Sequence, residues 1–285
     1  MNEFFDAVLN HGFMQRALVT GLLASVACGV IGTYVVTRRI TYIAGGIAHC
    51  VFGGMGAARY CRTVYGWEWL HPLHGAVVAA LLAALIIGWV GLRAKEREDT
   101  VIGAIWAIGM AIGILFIART PGYSDDLMSY LFGSILMVRT TDLWLIAGLD
   151  VLVVGLGLLF YNQFLAVCFD EEFARLRGVH VEAFYLLMLV LTALTVVLLV
   201  TVVGIVLVIA LLTLPVAVAG QFSRTLWQMM VWGAVLSAVF TTGGLAISYS
   251  PDVPAGATTI VLAGGVYLLA LGVGRIRGWW STAGS

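Results

Sequence analysis

The chain is a succession of long apolar runs joined by short polar turns. The runs lie at about 14–36, 42–60, 73–92, 100–118, 143–160, 181–200, 202–220, 227–248 and 257–274. A helix of about 20 apolar residues spans the hydrocarbon layer of a bilayer, where backbone polar groups find no water and must pair within the segment. These runs therefore predict an all-α chain that crosses a membrane many times. The sixth and seventh are nearly continuous. They form either one long helix or two spans with a break near Thr201–Gly204, so the expected count is eight or nine spans.

Composition agrees with that reading. Hydrophobic residues make up 61% of the 285 residues and charged residues 11%. Soluble domains carry about 25% charged residues. This chain has too little charge to cover a water-facing surface, which excludes a soluble globular enzyme and a disordered chain. Its formal net charge is zero, so it has no basic face to neutralise phosphates and no nucleic-acid partner. The four cysteines, Cys28, Cys50, Cys61 and Cys168, form no CxxC pair and read as packing residues. The first residues carry Glu3 and Asp6 rather than a basic segment, so the first run reads as a retained span. No repeat, linker or low-complexity tract divides the chain, and residues 1–285 read as one membrane domain.

Charge placement sets the orientation. Arg38–Arg39, the group Arg93, Lys95 and Arg97, the pair Arg175 and Arg177, Arg224, and the pair Arg275 and Arg277 hold 10 of the 15 basic residues. With nine spans all five clusters fall on one side, the cytoplasmic side by the positive-inside rule. The chain has one lysine, Lys95, with no glycine-rich loop before it. A phosphate-cradling P-loop is thus absent, the chain is not itself an enzyme, and any ATP that drives it is bound by a separate chain.

The cytoplasmic segment from Phe169 to Gly178 reads as a short helix. Asp170, Glu171 and Glu172 open it, Phe173 follows, Arg175 and Arg177 close it, and Gly178 supplies a stop. That charge order complements the helix dipole. Such an element is either a docking point for a soluble motor or a solvated connector.

Ionisable residues within apolar runs are costly and mark candidate ion pathways. His49 lies inside the second run, with Gly45 and Gly53 four residues to either side on the same helical face. Small residues there leave room for an ion or for another helix backbone. Imidazole is a ligand for zinc, manganese and ferrous iron, but a histidine bonded at a tight helix crossing fits the same spacing. In the outer loop Glu68, His71 and His74 are spaced by three, with Trp67 and Trp69 beside them as interfacial anchors. Pro72 interrupts any continuous helix through the three. Asp125 and Asp126 either gather divalent cations or cap the following helix. Asp150, deep in the fifth run, needs a protein partner such as Arg139, Thr192 or a backbone carbonyl.

Several motifs then appear in a characteristic order. Arg38-Arg39-Ile40-Thr41-Tyr42 precedes Ile47-Ala48-His49, and Ser124-Asp125-Asp126-Leu127-Met128 leads to Gly133. Phe169 to Gly178 leads to Leu191-Thr192-Ala193-Leu194-Thr195, and Val203-Gly204-Ile205 to Thr213-Leu214-Pro215. Thr242-Gly243-Gly244 and Asp252-Val253-Pro254-Ala255-Gly256 close the series. In this order and nearly end to end, the chain resembles the permease subunits of bacterial ABC importers for zinc, manganese and ferrous iron.

The resemblance implies a type II-like importer fold in the cytoplasmic membrane and a second copy of this chain. It implies a cytoplasmic ATPase dimer, an extracytoplasmic metal-binding protein, and a coupling helix at about 169–178. No permanent cofactor is implied; the metal ion is the cargo. The chain departs from the family at one position. An aspartate commonly stands four residues before the histidine, and here that position is Gly45. The loss of an oxygen ligand and the outer-loop histidines both favour zinc, ahead of manganese or ferrous iron. A permease for a small metal chelate and a stand-alone secondary transporter are the alternatives.

Overall fold

The computed structural model describes residues 8–93, 98–121, 140–249 and 253–282. Among these residues every regular element is helical. In chain order they are α1 (Gly12–Thr37), α2 (Thr41–Tyr65), α3 (Pro72–Arg93), α4 (Glu98–Arg119), α5 (Thr140–Leu159), α6 (Tyr161–Phe169), α7 (Glu171–Leu176), α8 (Val181–Val203), α9 (Ile205–Gly220), α10 (Leu226–Tyr249) and α11 (Ala255–Thr282). A helix thus overlies each of the nine apolar runs.

Six helices are long and apolar enough to cross a membrane unaided, or seven if the bent pair α5 and α6 is one span. That is fewer than the eight or nine expected from the apolar runs. The shortfall has a physical origin in two helices. α2 replaces bulky apolar residues with Gly45, Gly46, Gly53, Gly54 and Gly56, and also carries His49, Arg59 and Arg62. α9 has only 16 residues, a rise of about 24 Å against a core of about 30 Å.

Burial ranks the helices. In α1 and α8, 72% and 67% of the apolar stretch is buried inside the protein, against 17% in both α4 and α11. α1 packs against α5, α9 and α10, and α8 packs against α1, α2 and α3. α2 is held between α3 and α4. Its glycines permit that closeness: a Cβ at Gly53 would stand 2.6 Å from the carbonyl oxygen of Gly109 in α4, so the two backbones touch.

Two local breaks shape the interior. α8 ends at Gly204, whose φ of 82° and ψ of 164° suit glycine and few other residues. The sixth and seventh runs are therefore two helices, with the break inside the expected segment. α5 and α6 meet at a bend of 66°, where Phe160 and Phe164 pack edge-on against Phe184 of α8. α9 continues through Pro215.

The two ends of the bundle differ in chemistry. At one end Arg38 pairs with Glu171 of α7, and Thr37 reaches Met229 in the first turns of α10. This brings three arginine-bearing connections together: Arg38–Arg39, Arg175 with Arg177, and Arg224. At the other end an aromatic chain runs from Phe116 through Tyr60, Tyr65 and Trp67 to Trp69, with successive ring centroids 5.3 to 6.1 Å apart. Basic residues on one side and amphipathic rings on the other follow the pattern of a membrane-crossing chain.

Candidate functional site

His49 sits in the middle of α2 and is 6% exposed. Its Nδ1 is buried and has no hydrogen-bond partner. A buried polar nitrogen left unpaired is uncommon, since it forfeits its water without replacement. The ring stacks on the indole of Trp106 in α4, with centroids 4.4 Å apart and planes 18° from parallel. Trp106 also meets Tyr42 at 5.7 Å.

The two glycines flanking His49 serve different neighbours. Gly53 receives the α4 backbone at Gly109. Gly45 faces Trp106 and, from α9, Ile209: a Cβ there would lie 3.4 Å from Cζ3 of the indole and 3.7 Å from Cδ1 of Ile209. The room expected on this face is filled by an aromatic ring at one end and by a helix at the other. Cys50 points towards α4, where its thiol donates to the carbonyl of Ile105 at 3.5 Å. It is a packing contact, as the sequence reading of the four cysteines expected.

The outer loop presents a different geometry. His71 and His74 lie side by side, with ring centroids 6.4 Å apart. The backbone N–H of Leu73 donates to His71 Nδ1, and the N–H of His71 donates to His74 Nδ1, both at 3.3 Å. The rings thus tie down the start of α3, whose Pro72 has no N–H to satisfy. Glu68 is exposed in the turn before them. Among the described residues no group of three or more His, Cys, Asp or Glu side chains is placed to hold a metal ion. Asp125 and Asp126 lie outside the described residues.

Asp150 is 5% exposed, and its Oδ1 has no hydrogen-bond partner. Thr192 is not its partner, because that hydroxyl donates to the carbonyl of Met188 in its own helix. Arg139 lies outside the described residues.

The segment from Asp170 to Gly178 is a capped helix. The Asp170 side chain accepts from the N–H of Phe173 at 2.9 Å. At the other end the N–H of Val179 donates to Ala174 and that of Gly178 to Arg175, both at 3.0 Å, with Gly178 at φ 76°. Ala174 is fully buried with Val167 and Val181. Phe169, Phe173 and Leu176 instead turn outward, and Leu176 is 87% exposed. The Arg177 guanidinium lies over the Phe173 ring at 5.1 Å. Arg38, read from the sequence as an orientation signal and as part of a family motif, holds this helix to the bundle. It pairs with Glu171, donates to the carbonyl of Val167 at 3.3 Å and lies over the Tyr185 ring at 5.7 Å. Neither Arg38 nor Trp106 was legible as a site residue, because both act through partners more than 50 positions away in the sequence.

These features define a multi-pass helical membrane protein with a buried imidazole, unpaired at Nδ1, in its interior and a capped, outward-facing helix at its basic end. The chain belongs to the ABC 3 transport family, whose model matches residues 10–274. It is 46% identical to an uncharacterized membrane protein of Synechocystis, over 96% of this chain and 95% of that one. It is 34% identical to the manganese transport system membrane protein MntC of Halalkalibacterium halodurans, over 94% of this chain and 89% of the relative. Among solved structures it matches a chain of PsaBC from Streptococcus pneumoniae in complex with Fab. That match has a TM-score of 0.83 and 30% identity, and covers 94% of each chain.

Proposed function

We propose that this chain, residues 1–285 as one domain, is the membrane permease of an ATP-driven importer of divalent metal ions in the cytoplasmic membrane. Two copies form the pathway. A pair of cytoplasmic ATPase chains supplies the energy, since this chain has no P-loop, and an extracytoplasmic metal-binding protein delivers the ion. The observation that carries the reading is the buried imidazole of His49, with an unpaired Nδ1 inside α2. Neutral imidazole is a ligand for each of the candidate ions.

Relatives named for manganese transport, MntC among them, move the favoured ion from zinc to manganese. Glu68, His71 and His74 are the candidate cation contacts of the outer loop, and Asp125 and Asp126 are two further candidates. Asp170, Glu171, Glu172, Phe173, Arg175, Arg177 and Gly178 form the element that receives the ATPase. Nine spans follow if α5 with α6, the glycine-rich α2 and the short α9 each cross. α2 needs no lipid-facing bulk because it packs between α3 and α4, and the break at Gly204 sets α9 apart from α8.

The test is uptake by proteoliposomes containing the permease, its ATPase and the binding protein, with manganese, zinc and ferrous ions in competition. Manganese should accumulate only with ATP. If an assembled, hydrolysing complex accumulates none of the three ions, the reading fails.

A further inference from the structure

Gly45 and Trp106 account for each other. The indole of Trp106 lies over His49, and atoms of its six-membered ring lie over the face of Gly45, with Ile209 of α9 also close. A methyl at position 45 would be in ordinary contact with the ring, at 3.4 Å from Cζ3 and 3.7 Å from Cη2. A longer side chain at position 45 would have to extend from a Cβ already in contact with both the indole and Ile209. The position that would carry a second ligand therefore gives its volume to an aromatic ring on the neighbouring helix.

The backbones around this ring are close-packed. α2 meets α4 at Gly46 against Ile102, at Gly53 against Gly109, and at Gly56 against Gly113, where added Cβ atoms would stand 3.0, 2.6 and 3.0 Å away. Neither helix can slide without losing these contacts. Trp106 is half-buried and stacks on the imidazole, so rotation of its side chain would uncover that face without moving either backbone.

We propose that Trp106 gates His49: its indole covers the imidazole in this conformation, and the ion reaches His49 when the ring swings away. The proposal rests on the reading of His49 as a pathway residue. It makes Trp106 a positioning residue, acting through His49.

The experiment measures how fast diethyl pyrocarbonate, which acylates neutral imidazole, modifies His49. The assay uses the nucleotide-free permease–ATPase complex in nanodiscs, with modification read by peptide mass spectrometry. His74 and His180 are exposed and serve as internal controls for local against global loosening. In the Trp106→Ala variant His49 should react about tenfold faster, the shift expected for losing one aromatic pair, while His74 and His180 react as before. Trp106→Phe keeps a ring over His49 and should stay close to the wild-type rate. Equal rates in wild type and Trp106→Ala would overturn the gate, as would a Trp106→Phe rate equal to that of Trp106→Ala.

Uptake of inorganic manganese by the same wild-type complex, with the binding protein and ATP, separates the two readings. Uptake with an unreactive His49 in Trp106→Ala removes the gate and leaves the metal pathway. No uptake, with His49 uncovered in Trp106→Ala, removes the metal pathway and with it the ion gate, leaving Trp106 only as a cover over the imidazole.

Discussion

His49 and Gly204 show how far a single residue's role can be read. His49 stands out in the sequence because an ionisable group in an apolar run is costly, and the structure adds an Nδ1 with no partner. In His49→Ala, ATP-driven ion uptake should fall at least about tenfold, the loss typical of disturbing a metal's ligand surroundings. The ATPase should still co-purify with the variant; uptake at the wild-type rate would remove His49 from the pathway. Gly204 stands out only as a glycine in a doubtful stretch. Its φ of 82° and ψ of 164° make Gly204→Ala costly by about 1–3 kcal/mol. Thermal unfolding of the purified protein should show that loss as a lowered midpoint, and an unchanged midpoint would mean the break tolerates a side chain.

Among elements, α7 was the most legible and its attachment the least. Asp170, Gly178 and the order of charges between them are local signals, so a short helix within Phe169–Gly178 could be placed from sequence; the structure trims it to Glu171–Leu176 and makes Asp170 its N-cap. The arginine that anchors it lies 133 residues away, and no local pattern links the two. Both partners of the Arg38–Glu171 pair are partly exposed, at 26% and 36%, so the pair adds less than about 1 kcal/mol to stability. Its weight falls on transmission instead. Glu171→Arg should leave the unfolding midpoint nearly unchanged and lower the ions moved per ATP hydrolysed several-fold, and adding Arg38→Glu should restore much of the ratio. If Glu171→Arg keeps the wild-type ratio, α7 is not the element that transmits ATPase motion. The outer-loop residues give the opposite lesson. A spacing of three suggested convergence, yet His71 and His74 accept backbone N–H groups at the start of α3, because a loop histidine can satisfy helix donors as readily as it can bind an ion.

At the scale of the molecule, the positive-inside argument becomes testable as topology. The basic end holds Arg38, α7 and the start of α10, and the aromatic end holds Trp67 and Trp69. In a variant lacking Cys28, Cys50, Cys61 and Cys168, a cysteine at Glu68 should react with an impermeant maleimide on intact cells. One at Gly178 should react only after the membrane is opened. Labelling of both from outside would contradict the orientation.

What the sequence by itself determined was the inventory: nine apolar runs, forming eight or nine helices, a short capped helix before the sixth run, and a histidine inside the second. These follow from periodicity, hydropathy and capping, which act over a few turns. Only the tertiary structure decided what those parts meet. It filled the face of Gly45 with Trp106, brought Arg38 to Glu171 and gave Gly53 to the α4 backbone. The reason is that such contacts depend on how helices far apart in the chain pack in three dimensions, and local sequence carries no term for a distant neighbour.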